Sequence, residues 1–205
     1  MRDWPDEVKA AYDRAVFVDR DGTIAIDTHF PHRVEELAFI PRSIEALRLL
    51  ADLPIHIIVV SNQAGIALGL FGREDMSRYN RELRRRVEAE GARIDAFYYC
   101  PHKEPKHLAP GTQPCQCAKP APGMLLEAAK DFSADLQLSF MVGDKMSDIA
   151  AGQAAGCKTV LVKTGKAGAE RDDGVIAAPD FVVADLFEAA ESVSRIVTQR
   201  ISLGE

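Results

Sequence analysis

Six short, continuously apolar runs recur along the 205-residue chain: Ala15–Val18, Ile55–Val60, Ala96–Tyr99, Ser139–Val142, Thr159–Val162 and Phe181–Val183. A strand with one solvated face alternates apolar and polar residues, whereas a strand covered on both faces has no need to. Helical patterns fill the gaps. The spacing predicts helices over Ser43–Asp52, Arg73–Glu90, Gly123–Asp131, Ser147–Ala155 and Leu186–Thr198. In the second of these, Met76, Tyr79, Leu83 and Val87 recur at steps of three and four, as one apolar stripe requires. Strand alternating with helix predicts an α/β fold: a doubly wound, mostly parallel, Rossmann-like sheet in one domain over residues 1–205. Two stretches break the alternation. Residues 27–39 are rich in histidine and charge, and residues 100–122 hold Pro101, Pro105, Pro110, Pro114 and Pro120 before their end. A loop of the second kind needs a function or an internal staple.

Apolar residues make up 47% of the chain and its formal net charge is −6, so no broad basic field is available for nucleic acid or a membrane surface. The run RELRRR at 81–86 surrounds Leu83 and reads as a solvated helix face. The polar start MRDWPDEVKAAYDRA has no signal-peptide pattern, and no apolar run approaches the roughly 20 residues of a membrane helix. A cytoplasmic, monomeric protein is expected.

In an open α/β sheet, ligands bind beyond the carboxyl ends of the strands. Four polar clusters fall there: Asp19 and Asp21 in VFVDRDGTI, Ser61 and Asn62 in IIVVSNQAG, Lys119 in CAKPAPG, and Asp144 and Asp148 in FMVGDKMSD. Singly each has a bland reading as an Asx-turn, a helix cap, a surface lysine or an acidic helix start. Together they describe phosphoryl transfer. A carboxylate can attack phosphorus and form an aspartyl-phosphate. Its charge repels a dianionic ester, so a Mg²⁺ held by one or two carboxylates must screen both. Asp19 and Asp144 can supply those carboxylates. Asp21 can protonate the leaving alcohol and then activate water. Ser61 and Lys119 can donate to the phosphoryl oxygens. Asn62 and Lys145 stand beside these groups and complete the candidate phosphate-binding set.

Cys100, Cys115, Cys117 and Cys157 are the four cysteines. Disulfides are disfavoured in a cytosolic chain. Cys100 and His102, then Cys115 and Cys117, give C-x-H and C-x-C, three thiolates and one imidazole: a closed tetrahedral Zn²⁺ set in a loop at 100–117. Such a site would staple the proline-rich loop and contribute to its folding. Removing the zinc should lower stability more than it harms the chemistry. His107 has no paired spacing and is left out. Cys157, in AAGCKTVLV, reads as a small buried residue.

The order DxDGT, SNQ, Lys, GDxxxD resembles the haloacid-dehalogenase superfamily of aspartate-nucleophile phosphatases, across residues 15–165. The resemblance implies Asp19 as nucleophile and Asp21 as general acid/base. It implies Mg²⁺ on Asp19, the Asp21 backbone carbonyl and Asp144, with Asp148 supporting the metal site less directly, and phosphate on Ser61 and Lys119. No inserted block is large enough for a separate cap domain, so loops are expected to cover the site. VDRDGTI, SNQAGIALG, YYCPH, the C-x-C-x-KP-x-PGML pattern and the MVGDK-x-x-D pattern resemble the zinc-loop subgroup of that superfamily, the heptose 1,7-bisphosphate 7-phosphatases and histidinol-phosphate phosphatases. This implies a small phosphorylated sugar as substrate, the 7-phosphate of the heptose being removed, in the synthesis of bacterial surface glycans. The subgroup often carries arginine where this chain has Ala118. Lys145, His32, Arg33, Lys103 and Lys106 are the cations that could stand in. A 3′-end phosphatase for nucleic acid and a silent binding protein are the competing readings. The acidic balance opposes the first, and intact Asp19, Asp21, Lys119 and Asp144 oppose the second.

Overall fold

β-branched and aromatic side chains with no water on either face set the centre of the molecule. In the computed structural model, which describes residues 2–3, 12–103, 108–109, 112–169, 175 and 177–203, the strands are β1 (Arg2–Asp3), β2 (Ala15–Val18), β3 (His56–Asn62), β4 (Ala96–Cys100), β5 (Phe140–Gly143), β6 (Lys158–Val162) and β7 (Phe181–Val183). They form one sheet in the order β1-β4-β3-β2-β5-β6-β7. Every pairing is parallel except that of β1 with β4. The helices are α1 (Ser43–Ala51), α2 (Arg73–Ala89), α3 (Gly123–Phe132), α4 (Met146–Ala155) and α5 (Leu186–Leu203). No helix among the described residues is long and apolar enough to cross a membrane.

The continuous apolar runs are explained by two separate cores. Val16, Val18, Ile57 and Val59 pack with Leu47, Tyr79, Leu83 and Val193, from α1, α2 and α5. Their neighbours Ala15, Phe17, Ile58 and Val60 point the other way, onto Met124, Leu125, Ala128 and Ala151 of α3 and α4. Each fully buried side chain of this size contributes about 1.5–3 kcal/mol, so strands β2 and β3 anchor both layers at once. The doubly wound expectation holds, and element ends agree within a residue or two, save at the carboxyl end of α5.

Three features depart from the sequence reading. The β1 pairing lies in the polar N-terminal stretch, where no periodicity marks it. Strand β7 is an edge, with Phe181 36% and Val182 51% exposed, so its apolar run is not covered on both sides. The basic face of α2 is not simply solvated. Arg86 donates from Nη1 to the Leu37 carbonyl at 2.9 Å and from Nη2 to that of Val34 at 3.4 Å, and the Arg84 guanidinium lies 5.1 Å from the Phe97 ring centre. Arg86 thereby ties α2 to the 27–39 stretch, which contains one 3₁₀ turn at Val34–Glu36.

Register then builds the site. Val18 pairs with Val59 on one side and Val142 on the other. The chain beyond β2 continues beside β5, with the Asp19 amide donating to the Val142 carbonyl at 2.9 Å. Asp19, Ser61 and Asp144 therefore leave three neighbouring strands at one edge.

Candidate active site

Asp19 is 3% exposed and Asp144 and Asp148 are fully buried. One oxygen from each of the three carboxylates lies within 4.8 Å of the others. Uncompensated anions that close are expensive to bury. Two lysines answer them. Lys119, 3% exposed, donates from Nζ to Asp19 Oδ1 at 2.8 Å and to the Val60 carbonyl at 2.9 Å, and sits 2.6 Å from Asp148 Oδ1. Burial works against both lysine charges, yet the acids keep them on. Lys119 is held above its ordinary range by Asp148 and Asp19, and Lys145 by Asp19, Asp144 and Asp148. Asp19 in turn is held below the usual carboxylate range, against its burial, by Lys119 and Lys145. An ionised oxygen is what a nucleophile needs.

Asp144 is different. Burial, then the charges of Asp19 and Asp148, push its carboxyl up to about 8. Its Oδ2 accepts from the Lys166 amide at 2.7 Å, but its buried Oδ1 has no hydrogen-bond partner. The backbone leaves room around it. Gly22 (φ +93°) and Gly165 (φ +55°) both sit where a Cβ would collide with the Asp144 carboxylate. A partnerless buried oxygen, facing two further acids, fits a hard divalent cation such as Mg²⁺. The side chains that would hold it are those of Asp19 and Asp144, with the Asp21 backbone carbonyl as the further expected oxygen donor. Asp148 stands close to them, but its own oxygens are engaged by Lys119 and by the Lys145 amide at 3.0 Å, which suits a supporting role.

The shift at Asp144 has a testable sign. Its ordinary value is 3.8, so the folded state holds a proton that the unfolded state has released. Without divalent ions, stability should therefore fall as pH rises from about 4 towards 8. A bound cation displaces that proton. The rise in melting temperature caused by Mg²⁺ should then grow between about pH 5 and pH 8. Thermal melts with and without the ion across that range check this, and a pH-independent increment would contradict it.

The remaining candidates converge on the same edge. Ser61 Oγ accepts from Gln63 Nε2 at 2.7 Å, which leaves its hydroxyl proton free to donate. Asn62 turns its carboxamide to the main chain of Lys119: Nδ2 donates to the Lys119 carbonyl and Oδ1 accepts from its amide, each at 3.0 Å. It therefore fixes the lysine's backbone. Asp21 is 7% exposed. Its carboxylate is gripped at both oxygens by Arg20, at 2.8 Å each, with Gln63 Nε2 at 3.0 Å from Oδ2. Arg20 and Gln63 were not singled out in the sequence. Both adjoin selected residues, but nothing in the sequence marks the partners they find in the fold.

Cys100, His102, Cys115 and Cys117 also come together, their ligand atoms within 4.8 Å of one another. Cys100 Sγ lies 2.8 Å from Cys117 Sγ, and 3.5 Å from both Cys115 Sγ and His102 Nδ1. Burial pushes the Cys100 thiol up. Soft donors crowded this tightly fit a structural zinc ion. The cluster adjoins the edge that carries Ser61 and Lys119. Gln63 N donates to the Cys100 carbonyl at 2.8 Å, and Lys119 follows Cys117 by two residues. Cys157 is buried in the core, as expected. Lys106 and His107 lie outside the described residues. His32 stacks on Phe71 at 4.7 Å and, with Arg33, Leu70 and Arg78, lines a cavity of about 200 Å³.

A parallel sheet in this strand order, with buried acids and a buried lysine at its carboxyl edge, defines a hydrolase of haloacid-dehalogenase-like type. The HAD-hydrolase-like family model matches residues 116–189. The chain is 43% identical over 154 residues to the D-glycero-β-D-manno-heptose-1,7-bisphosphate 7-phosphatase of Pasteurella multocida, covering 75% of this chain and 83% of that one. It is 34% identical over 184 residues to the enzyme of that name from Haemophilus influenzae, covering 89% and 98%. The D,D-heptose 1,7-bisphosphate phosphatase of B. bronchiseptica, solved with magnesium and phosphate, superposes with a TM-score of 0.78 at 29% identity, over 89% of this chain and 99% of that one. The chain belongs to the haloacid-dehalogenase-like phosphatase family that contains these heptose bisphosphate phosphatases, and it is a phosphatase.

Proposed function

We propose that the protein hydrolyses the 7-phosphate of D-glycero-D-manno-heptose 1,7-bisphosphate through a phosphoryl group carried on Asp19. The observation that carries this reading is the buried Asp19–Lys119 pair at 2.8 Å beside the partnerless Oδ1 of Asp144. The names of the relatives at 34–43% identity support the sugar. Mg²⁺ on Asp19 and Asp144 would neutralise charge between nucleophile and ester. Lys119 and Ser61 hold the phosphoryl oxygens, and Lys145 adds charge beside them. An Asp19 oxygen bonds to phosphorus as the bond to the sugar oxygen breaks. The leaving oxygen takes that electron pair and a proton from the Asp21 carboxyl. Asp21, now a carboxylate, accepts a proton from water as the water oxygen bonds to phosphorus and the Asp19–phosphorus bond breaks. Sugar alcohol and inorganic phosphate leave, and both aspartates return to their starting states. Zn²⁺ on Cys100, His102, Cys115 and Cys117 is assigned a structural part, holding the loop that carries Lys119.

The test of substrate is a comparison of kcat/KM for the heptose 1,7-bisphosphate, hexose bisphosphates, histidinol phosphate and a 3′-phosphorylated oligonucleotide. The heptose is expected to lead by at least about tenfold, a difference of roughly 1.4 kcal/mol in transition-state binding. A lead by histidinol phosphate or by the oligonucleotide would overturn the substrate assignment.

A further inference from the structure

The arginine between the two catalytic aspartates is neither a surface charge nor a phosphate ligand. It is 1% exposed, and a guanidinium has five N–H donors. All are committed. Nε donates to Asp21 Oδ1 at 2.8 Å. Nη2 donates to Asp21 Oδ2 at 2.8 Å and to the Pro31 carbonyl at 3.1 Å. Nη1 meets Asn80 Oδ1 at 3.0 Å and Met76 Sδ at 2.8 Å. The plane rests on the Tyr79 ring, 4.4 Å from its centre. A buried charge is tolerated only with partners on every side. Here the partners come from α2 and from the 27–39 stretch, so the guanidinium is fixed to the scaffold and cannot follow a moving side chain.

We infer that Arg20 is the positioning residue of this phosphatase: a fixed fork, anchored by Asn80, Met76, Tyr79 and Pro31, that sets where the Asp21 carboxyl stands when protons pass. The inference rests on the proposed role of Asp21 as acid and base. It also gives residues 27–39 and α2 a part in the chemistry, because they hold the fork rather than the substrate. Bidentate geometry is what a lysine cannot supply. A general acid misplaced by about 1 Å loses on the order of a hundredfold in rate.

Leaving-group dependence separates this from a merely structural role. An alkyl ester needs a proton on its departing oxygen; an aryl ester such as 4-nitrophenyl phosphate departs without one. Single-turnover release of alcohol should be measured for the heptose bisphosphate and for 4-nitrophenyl phosphate, in wild type, Arg20→Met, Arg20→Lys and Asp21→Asn. Both Arg20 variants are expected to lose roughly a hundredfold on the sugar phosphate and under about threefold on the aryl phosphate. Asp21→Asn should show the same selectivity. If it does not, the reading of Asp21 fails. If it does, and the Arg20 variants slow both esters equally or neither, the inference about Arg20 is overturned. Should Arg20→Met not fold, Asn80→Ala decides, since it loosens the fork without touching Asp21. The same selective loss, smaller in size, is expected, and uniform or absent loss contradicts it.

Discussion

Asp19→Asn is expected to lower turnover by at least about 10⁴-fold while the protein still folds. The carboxamide keeps the shape of the side chain but offers neither the charge nor the lone-pair basicity that attack on phosphorus requires. Lys119 retains Asp148 at 2.6 Å and the Val60 carbonyl at 2.9 Å, so the lysine is not left bare. Removing one of three crowded acids also relieves Asp144, whose proton is held partly by the Asp19 charge. The lost attraction of Lys119 and Lys145 for the Asp19 charge acts in the opposite direction, so the variant should fold but melt somewhat below wild type in the absence of divalent ions. Steady-state kinetics and a thermal melt check both halves. Turnover within about tenfold of wild type would remove Asp19 from the reaction.

Cys117→Ser is expected to produce the largest loss of stability. A structural zinc ion contributes folding free energy, about 10–16 kcal/mol in small peptides that fold only around it. Here only one loop depends on it, and several kcal/mol is the reasonable share. At about 2–4 °C per kcal/mol for a chain of this size, the melting temperature should fall by roughly 10 °C. Chelator treatment of wild type should give the same fall with no further effect on the variant. Asn62 still clamps the Lys119 backbone from β3, so activity at low temperature should survive better than stability does. A variant with wild-type zinc content and melting temperature would show that these four side chains do not form the staple.

Much of this was legible in the residues themselves. Val16 and Phe17 pack into opposite cores, and so the run that contains them could not alternate. The ends of the parallel strands told where Asp19, Ser61 and Asp144 would meet, because register in a parallel sheet carries successive strand ends to one edge. The cysteine and histidine spacing brought the four soft donors together. What the sequence did not show were the long-range commitments of polar side chains. Asn62 reads as a ligand of phosphate until Lys119 turns out to be its partner, 57 residues away. Arg20 finds Asn80 across 60 residues. Such pairs leave no periodic trace. The exposed face of β7 escaped for a related reason, since an edge strand and a central strand can have the same composition.

The most direct test is to quench Asp21→Asn with acid during reaction with 4-nitrophenyl phosphate, whose leaving group needs no proton, and to map the digested protein by mass spectrometry. The Asp21 variant can form the phosphoryl-enzyme but is slow to let water resolve it. The account predicts the added mass of one phosphoryl group on the peptide containing Asp19, absent when Asp19 is also asparagine. Product formation with no covalent phosphate, or phosphate on any other residue, would contradict it.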